Sequence, residues 1–358
     1  MKRIVVYINS MNASGGIERV VSKLIFEWAK YYSITLLVKD DGQSFYSLPD
    51  NIEILSISEP LVLDMKARYK RVVSVALNLY KTVKKLKIFL KSCNFDYLYT
   101  ATPLNSFEFY LAFPQIMSKM VISEHASAFA VNKIYQTIKK FIYPKAYCIS
   151  VPNKMDCEVY KLWRCNVVYI PHLASFKPQE TNRLDSKIVL NVGRLTLDKR
   201  QIELIKIWSN VRNKKDWQLV IVGSGEEKEK LINEIKLYKL EKAVKIVGHT
   251  KNIESIYRNA SIFAFTSRME GFGMVLLEAM SFGIPCISYD CPSGPRDIII
   301  DGKNGFLVRN NNSAEFTKKL EYMLEQSPLR EMGQCAFETV KNWNNNGILQ
   351  AWDKIFQN

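Results

Sequence analysis

The stretch from Ser267 to Gly294 combines two glutamates, a glycine-rich loop and an apolar run. The apolar run follows the glycines and predicts a helix from about Met274 to Phe282. A helix N-terminus exposes unpaired N–H groups and a partial positive charge, which suit a phosphate. Glu270 lies before this helix and Glu278 inside it, and both carboxylates can accept hydrogen bonds from sugar hydroxyls. The pattern favours a site for a nucleotide sugar.

The same helix also has a structural interpretation. Its apolar residues, Val275 and Leu276 among them, have the spacing of a buried helix face. Glu278 in their midst must either point outward or be satisfied, because burying an unpaired carboxylate is costly. Ligand hydroxyls or a nearby Arg or Lys are the candidate partners.

Two basic residues upstream could bind the phosphates of such a ligand. Arg194 and Lys199 lie in VGRLTLDKRQ, just beyond a predicted strand, where a pair of cations can hold a diphosphate and neutralise it as it leaves. Surface ion pairing is the alternative role. The sequence contains no DxD triplet, so we expect no metal ion and no cofactor, with the nucleotide sugar as a substrate.

Strands alternate with helices along the whole chain. The alternation predicts parallel, doubly wound sheets, in which ligands bind at the carboxyl ends of the strands. In the first half, predicted strands run over 3–8, 34–38, 52–55, 97–101, 120–123, 147–151 and 167–170. In the second half they run over 188–192, 219–222, 244–247, 262–265 and 285–289.

Three residues of the first half lie in segments that follow such strands. Gly15 and Gly16 end the loop NSMNASGG before a helix over 17–31, which is a phosphate-cradling geometry, although a glycine turn that merely packs helix on sheet fits equally. His125 follows a strand within SEHASAF, where we expect it to contact substrate; a purely structural histidine is the alternative.

The alternation is interrupted once, by a polar, proline-containing run from Leu173 to Ser186 that reads as a linker. We therefore predict an N-terminal acceptor-side domain at 1–175 and a C-terminal nucleotide-sugar domain at 186–340. Residues 341–358 would form a helix that packs back toward the first domain. The expected architecture is two Rossmann-like domains facing each other across a cleft.

Basic residues are concentrated in one region. Between residues 61 and 150, fourteen Lys and Arg stand against four acids, and the densest part, 65–91, reads as a helix with interleaved apolar and basic residues. A solvated helix face and a surface for anionic lipid or polyphosphate both fit. No finger, RNP-type or basic-zipper signature accompanies the charge, so we expect no nucleic-acid partner.

The remaining composition is that of a folded cytoplasmic protein. The N-terminal apolar run, 4–8, is too short for a signal peptide. Seven cysteines form no CxxC pair and, with three histidines, make a metal cage or disulfide framework improbable. We expect the protein in the cytoplasm, with the inner face of the plasma membrane as a peripheral location.

The motifs SGGIERVV, SEH, VGRLTLDKRQ, VGSGE, EGFGMVLLEAMSFGIP and CPSGPRDII occur in this order. Together they resemble the retaining glycosyltransferases of family 4, which have the GT-B fold. The glutamate block is the specific part of this resemblance. The spacing of its last motif is similar to that in bacterial hexosyl- and N-acetylhexosaminyltransferases of lipopolysaccharide, capsule or lipid-linked oligosaccharide synthesis.

The resemblance implies roles for the matched positions. Glu270 would contact the donor sugar, Glu278 the ribose, and His125 the transferred sugar. Arg194 and Lys199 would hold the diphosphate, and the catalytic set would be Glu270, His125, Arg194 and Lys199. The remaining donor-binding residues would be Gly15, Gly16, Gly225, Val247, Gly248, Gly271, Phe272, Gly273, Met274 and Val275.

The expected reaction transfers a hexose or N-acetylhexosamine, from a UDP-sugar by preference, to a lipid-linked or surface-glycan acceptor. An acceptor hydroxyl would attack from the face that the diphosphate leaves, with no enzyme nucleophile. A GT-B-shaped sugar-nucleotide epimerase and a non-catalytic protein that binds nucleotide sugars or nucleic acid are the alternatives.

Overall fold

A computed structural model describes residues 1–60, 68–130, 133–177, 180–248, 250, 252–325 and 329–357, with the backbone alone at 68–72. Over these residues the chain divides into two compact units. The first comprises Met1–Leu173 with Asn346–Asn358, and the second comprises Ala174–Asn345. Each unit has its own hydrophobic core.

The first unit is built on a parallel sheet whose strands are rich in β-branched and aromatic residues. In the described part of the unit the strands are β1 (Arg3–Ile8), β2 (Ser33–Val38), β3 (Glu53–Ser56), β4 (Tyr97–Thr100), β5 (Met120–Ser123), β6 (Cys148–Val151) and β7 (Val167–Tyr169). Their order is β3-β2-β1-β4-β5-β6-β7, and every neighbouring pair is parallel. The sequence predicted each strand to within one residue.

Helices connect these strands. They are α1 (Gly16–Trp28), α2 (Arg68–Ser92), α3 (Pro103–Ala112), α4 (Lys133–Ile142) and α5 (Lys154–Leu162). The predicted basic helix corresponds to α2; its first predicted residues, 65–67, lie outside the described residues.

The second unit repeats the architecture with a parallel sheet. Its described strands are β8 (Ile188–Val192), β9 (Gln218–Val222), β10 (Val244–Val247), β11 (Ile262–Phe265), β12 (Cys286–Asp290) and β13 (Gly305–Arg309). They lie in the order β10-β9-β8-β11-β12-β13. The helices are α6 (Gln201–Asn210), α7 (Lys228–Leu237), α8 (Ile253–Arg258), α9 (Met274–Met280), α10 (Pro295–Ile298), α11 (Ser313–Leu324) and α12 (Leu329–Lys341).

Two details of the second unit differ from the sequence prediction. Helix α9 ends at Met280 rather than Phe282, because Ile284 bonds back to Ala279 and Gly283 turns left-handed. Strand β13, which follows a polar turn, and helix α10, which is a single turn, had not been predicted.

The last helix returns the chain to the first unit. Helix α13 (Asn345–Gln357) packs Trp352 and Phe356 edge-on against Trp28 of α1, with ring centroids 5.1 Å apart in both pairs. The Tyr32 hydroxyl also donates to Asp353 Oδ1 at 2.9 Å. This aromatic cluster makes α13 part of the first core.

The order of the strands identifies where each sheet can bind a ligand. In the second sheet, β9 and β10 are added on one side of β8 and β11 to β13 on the other, so the direction in which strands are added reverses between β8 and β11. In the first sheet the same reversal occurs between β1 and β4. Ligands of doubly wound sheets bind at the carboxyl ends of strands at such switch points. The loops after β8 and β11 are therefore the expected ligand-binding loops of the second sheet.

Candidate functional site

Lys199 and Glu270 meet at the switch point of the second sheet. Lys199 ends a 3₁₀ turn, Leu197–Lys199, in the loop after β8, and Glu270 lies in the loop after β11. Lys199 Nζ donates directly to Glu270 Oε1. The two side chains keep 22% and 11% of their exposure, so solvent reaches the pair. The structure thus brings together two residues whose roles had been predicted separately.

Further contacts fasten the two loops that carry this pair. The Thr266 hydroxyl donates to the backbone oxygen of Lys199 at 3.1 Å. Arg268 donates through Nη2 and Nε to Asp198 Oδ1 at 2.6 and 3.1 Å, and its backbone N–H donates to the Asp198 carbonyl at 2.8 Å. Neither Thr266 nor Arg268 had been predicted from the sequence, because neither carries chemistry by itself.

Arg194 is exposed in the same loop. Its backbone oxygen accepts from Gln201 Nε2 at 3.0 Å, which fixes the turn. Within the described part of the chain, no side chain pairs with the Arg194 guanidinium. The alternative role predicted for Arg194, a surface ion pair, is therefore not seen, and its charge is available to an anion.

The loop after β9 packs directly under the loop that holds Arg194. A Cβ on Gly225 would collide with the carbonyl oxygen of Leu195, and Leu195 N donates to the Ser224 carbonyl at 2.9 Å. Close packing between backbones therefore requires glycine at 225, whatever its predicted role toward a donor. Gly248, after β10, has no such constraint: a Cβ there would meet no described atom within 4 Å. Val247 beside it is half-buried, and residues 249 and 251, which follow in the same loop, lie outside the described residues.

The glycine loop before α9 is buried, and it turns left-handed at Gly273, with φ +93°. A Cβ on Gly294 would collide with the backbone of Phe272, so the CPSG segment presses against this loop. The Phe272 ring packs on Trp343 at 5.9 Å between centroids. Gly271 is buried in the loop, and Met274 and Val275, the first residues of α9, are half-buried.

Glu278 is buried inside the second unit, facing Tyr257 of α8. The Tyr257 hydroxyl donates to Glu278 Oε2 at 3.0 Å, and the Tyr257 ring stacks on Phe282 at 5.7 Å. We expected Glu278 either to point outward or to have a hydrogen-bond partner. It is buried, and a protein hydroxyl, that of Tyr257, satisfies its carboxylate. A ribose contact for Glu278 stays a prediction. Tyr257 was missed because its partner lies 21 positions away in the chain.

The first unit carries the remaining predicted residues. Gly15 precedes α1 and Gly16 begins it, but a Cβ on Gly15 would collide with the carboxylate of Glu18. The side chain of Glu18 therefore lies against the helix N-terminus, where an acid is stabilised by the helix dipole. A phosphate at this position would have to displace it.

His125 follows β5 and packs against a second histidine. Its ring stacks on His172 with centroids 5.2 Å apart and 23° between the planes. Its Nε2 lies 3.3 Å from the Tyr99 hydroxyl, and its Nδ1 is buried with no hydrogen-bond partner among the described residues. Burial lowers the pKa of His125 to about 4, so the ring is neutral near pH 7. His125 can therefore act on a ligand by hydrogen bonding rather than by charge.

Two fully buried Lys–Glu pairs lie at the carboxyl edge of the first sheet. Lys39, directly after β2, pairs with Glu108 of α3, which also accepts from the Tyr7 hydroxyl at 2.7 Å. Glu124, directly after β5, pairs with Lys139 of α4 at 2.7 Å. No sequence pattern predicted either pair, because the partners are distant in the chain and charged residues are rarely buried.

Comparison with known proteins identifies the second unit. The family model described as glycosyl transferases group 1 matches residues 174–346. The amylovoran biosynthesis glycosyltransferase AmsD of Erwinia amylovora is 28% identical over 99% of this chain and 99% of its own length. An α-1,4-N-acetyl-D-galactosaminyltransferase of Campylobacter jejuni, named for an undecaprenol-diphosphate-linked acceptor, is 24% identical over 99% of this chain and 98% of its own length.

Solved structures show the fold. Sucrose-phosphate synthase from Thermosynechococcus elongatus superimposes with a TM-score of 0.84 at 18% identity, covering 100% of this chain and 98% of that one. The two doubly wound sheets are thus those of the GT-B fold. Residues 174–346, just under half of the chain, are thus similar to the glycosyl transferases group 1 family.

Proposed function

We propose that this protein is a retaining glycosyltransferase that moves a hexose or N-acetylhexosamine from a UDP-sugar to a growing surface glycan. The observation that carries the proposal is the contact between Lys199 and Glu270 at the switch point of a group 1 domain. A cation suited to a diphosphate and a carboxylate suited to sugar hydroxyls lie one hydrogen bond apart, as a diphosphate-linked sugar requires.

In this proposal a bound donor replaces the ion pair with contacts of its own. The diphosphate takes Lys199 and the exposed Arg194, and a sugar hydroxyl donates to Glu270. The partial exposure of the pair permits this exchange. The neutral His125 contributes a hydrogen bond to the transferred sugar.

The transfer breaks one bond and forms another on the same face of the sugar. The bond from the anomeric carbon to the diphosphate oxygen breaks with its electron pair on that oxygen, and the acceptor oxygen bonds to the anomeric carbon. The proton of the acceptor hydroxyl passes to the leaving phosphate oxygen. Lys199 and Arg194 stabilise the negative charge that develops there.

This route requires no enzyme nucleophile. A covalent route of the retaining-glycosidase type would need a second carboxylate about 5–5.5 Å from Glu270, acting as acid and base. In the structure the Glu270 side chain bonds to the cation Lys199, and Cys291 lies near it. Burial, with a smaller contribution from Glu270, raises the pKa of the Cys291 thiol to about 12, so no thiolate nucleophile forms there near neutral pH.

The acceptor class comes from the relatives. The E. amylovora protein is named for amylovoran biosynthesis and the C. jejuni protein for a glycan on undecaprenol diphosphate. We therefore favour a lipid-linked or surface-glycan acceptor, met at the inner face of the plasma membrane. Along the described residues, no helix is long and apolar enough to span a bilayer.

The donor is first sought by binding. A panel of UDP-, GDP- and ADP-sugars is screened for thermal stabilisation, and a true donor at a hundredfold excess over its Kd should add about 2.7 kcal/mol to the free energy of unfolding. We expect this stabilisation to persist in EDTA, since the proposed site uses no metal ion; loss of binding in EDTA would contradict that point.

The reaction is then tested by UDP release with and without a lipid-linked glycan acceptor. We expect acceptor-dependent release and a product of retained configuration. Release without acceptor would instead support the epimerase. Glu270→Ala should abolish turnover, whereas Glu254→Ala, which removes an exposed carboxylate from the same unit, should not. Full turnover by Glu270→Ala would exclude the proposed site.

A further inference from the structure

Helix α2 has no acidic residue in 25 positions. The segment Arg68–Ser92 carries eight Lys and Arg and no Asp or Glu. Lys85 is used inside the unit, where it pairs with Glu59 at 3.0 Å and donates to the Ile57 carbonyl at 2.6 Å. Four other lysines, Lys81, Lys84, Lys87 and Lys91, are exposed.

Large apolar side chains share this exposed face. Leu77, Tyr80 and Ile88 retain 57%, 71% and 62% of their exposure. Together with Val73, Lys84 and Lys91 they occupy positions 73, 77, 80, 84, 88 and 91. This spacing places all six side chains on a single helix face. The opposite side of the helix buries Thr82 and Leu86 in the first unit. The helix is thus anchored by one face and leaves an apolar and basic face in solvent.

Helix α4 has the same character. Its ten residues include no acid, and Ile134 and Phe141 are exposed together with Lys133 and Lys140. Helix α3 contacts both α2 and α4, so the three helices are neighbours. The exposed residues of α2 and α4, all of them within the described side chains, are here named the basic–apolar surface.

The chemistry of this surface fits a lipid bilayer better than a soluble polyanion. A polyanion would use the lysines alone and gain nothing from exposed Leu, Tyr and Ile. A bilayer takes both, because apolar side chains enter the headgroup and acyl boundary while lysines meet anionic headgroups. The apolar residues also align with the lysines on one helix instead of lying scattered, as isolated surface hydrophobics do.

We propose that the basic–apolar surface docks the first unit onto an anionic phospholipid bilayer. This deepens the proposed function, because it names the surface by which an enzyme acting on a lipid-linked acceptor would reach its substrate. It is tested apart from that function, since binding to vesicles requires no sugar transfer.

The experiment measures sedimentation of the full chain with vesicles. Phosphatidylglycerol–phosphatidylcholine vesicles at low salt should bind the protein, and pure phosphatidylcholine vesicles should not. At about 1 kcal/mol per basic residue, the triple variant Lys84→Gln, Lys87→Gln, Lys91→Gln should lower the partition coefficient about a hundredfold. The matched control, Lys236→Gln, Lys239→Gln, Lys242→Gln, removes the same charge from exposed positions in the second unit and should leave binding unchanged.

A second pair of variants tests the apolar part. Leu77→Ser with Tyr80→Ser should weaken vesicle binding at least tenfold on the same scale of apolar burial. Leu237→Ser with Tyr238→Ser makes the same exchange at exposed positions of α7 and its end, and should have no effect. Circular dichroism and the unfolding midpoint establish that each variant is folded.

Three results would overturn the proposal. The wild type could fail to bind anionic vesicles, or the second-unit controls could lose binding as fully as the α2 variants. Alternatively, the Leu77 and Tyr80 exchange could leave binding intact while the lysine variant abolishes it, which would identify a general polyanion site. If vesicle binding holds and acceptor-dependent UDP release is absent, the docking surface stands and the proposed function fails.

Discussion

Among the described Lys–Glu pairs near the carboxyl ends of the strands, three differ clearly in exposure. Lys39–Glu108 and Lys139–Glu124 in the first unit are fully buried, whereas Lys199–Glu270 in the second is partly exposed. A buried pair that loses one partner leaves an uncompensated charge, but an exposed pair can exchange partners at little cost. Exposure therefore separates pairs that hold the fold from the pair that can bind a ligand.

The largest effect on stability should come from breaking a buried pair. Lys39→Met leaves the Glu108 carboxylate without its cation and should lower the free energy of unfolding by about 3–5 kcal/mol. Urea unfolding at pH 7 measures the change. Adding Glu108→Gln removes the orphaned charge, keeps an acceptor for the Tyr7 hydroxyl, and should restore a large part of the loss. A loss below about 1 kcal/mol from Lys39→Met would mean that the buried pair contributes no more to stability than an exposed one.

A Lys→Met substitution at the Lys199–Glu270 pair should instead lower activity strongly and stability only weakly. Lys199→Met removes a charge that stabilises the leaving diphosphate, so kcat/KM should fall about a hundred- to a thousandfold, equivalent to about 2.7–4 kcal/mol. The free energy of unfolding should fall by less than it does in Lys39→Met, because solvent reaches the Lys199–Glu270 pair. Steady-state kinetics and urea unfolding are measured on one preparation. Loss of stability as large as that of Lys39→Met would assign Lys199 a structural role.

Burial of His125 and His172 in the first unit predicts that the free energy of unfolding falls as the pH is lowered. The pKa of His125 is about 4 in the folded chain against an ordinary value of 6.5, so below pH 6.5 the unfolded state binds a proton that the folded state does not. This contribution to stability is complete above pH 6.5 and falls progressively, by about 3 kcal/mol, as the pH drops to 4. Burial lowers the pKa of His172 as well, which adds a fall of the same sign.

The variant His125→Asn checks this assignment. Urea unfolding at pH 7.0, about 5.5 and about 4.5 should show a shallower loss of stability than the wild type, since one buried imidazole is gone. An unchanged slope would mean that other groups, carboxylates above all, control the acid limb.

Sequence patterns predicted the strands of both sheets well, because parallel strands buried on both faces read as apolar runs between polar loops. They also located the loops of Lys199 and Glu270, because predicting a strand also predicts the loop that follows its carboxyl end. They could not show that these two side chains touch, because the order of strands in the sheet decides which loops are neighbours. Tyr257, His172 and Lys39 were missed for the same reason: each acts through a partner distant in sequence.

The smallest effect should come from an ion pair that is open on both sides. Arg268 and Asp198 are exposed beside the Lys199–Glu270 pair. Arg268→Gln should lower the free energy of unfolding by at most about 1 kcal/mol, and high salt should remove the difference because exposed pairs are screened. If the Arg268 contact also holds the loop that carries Lys199, Arg268→Gln should lower kcat/KM by a few-fold. The control Arg258→Gln breaks the exposed pair with Glu254 and should leave kcat/KM unchanged. Equal kinetics for the two variants would show that the backbone bond between residues 268 and 198 positions the loop by itself.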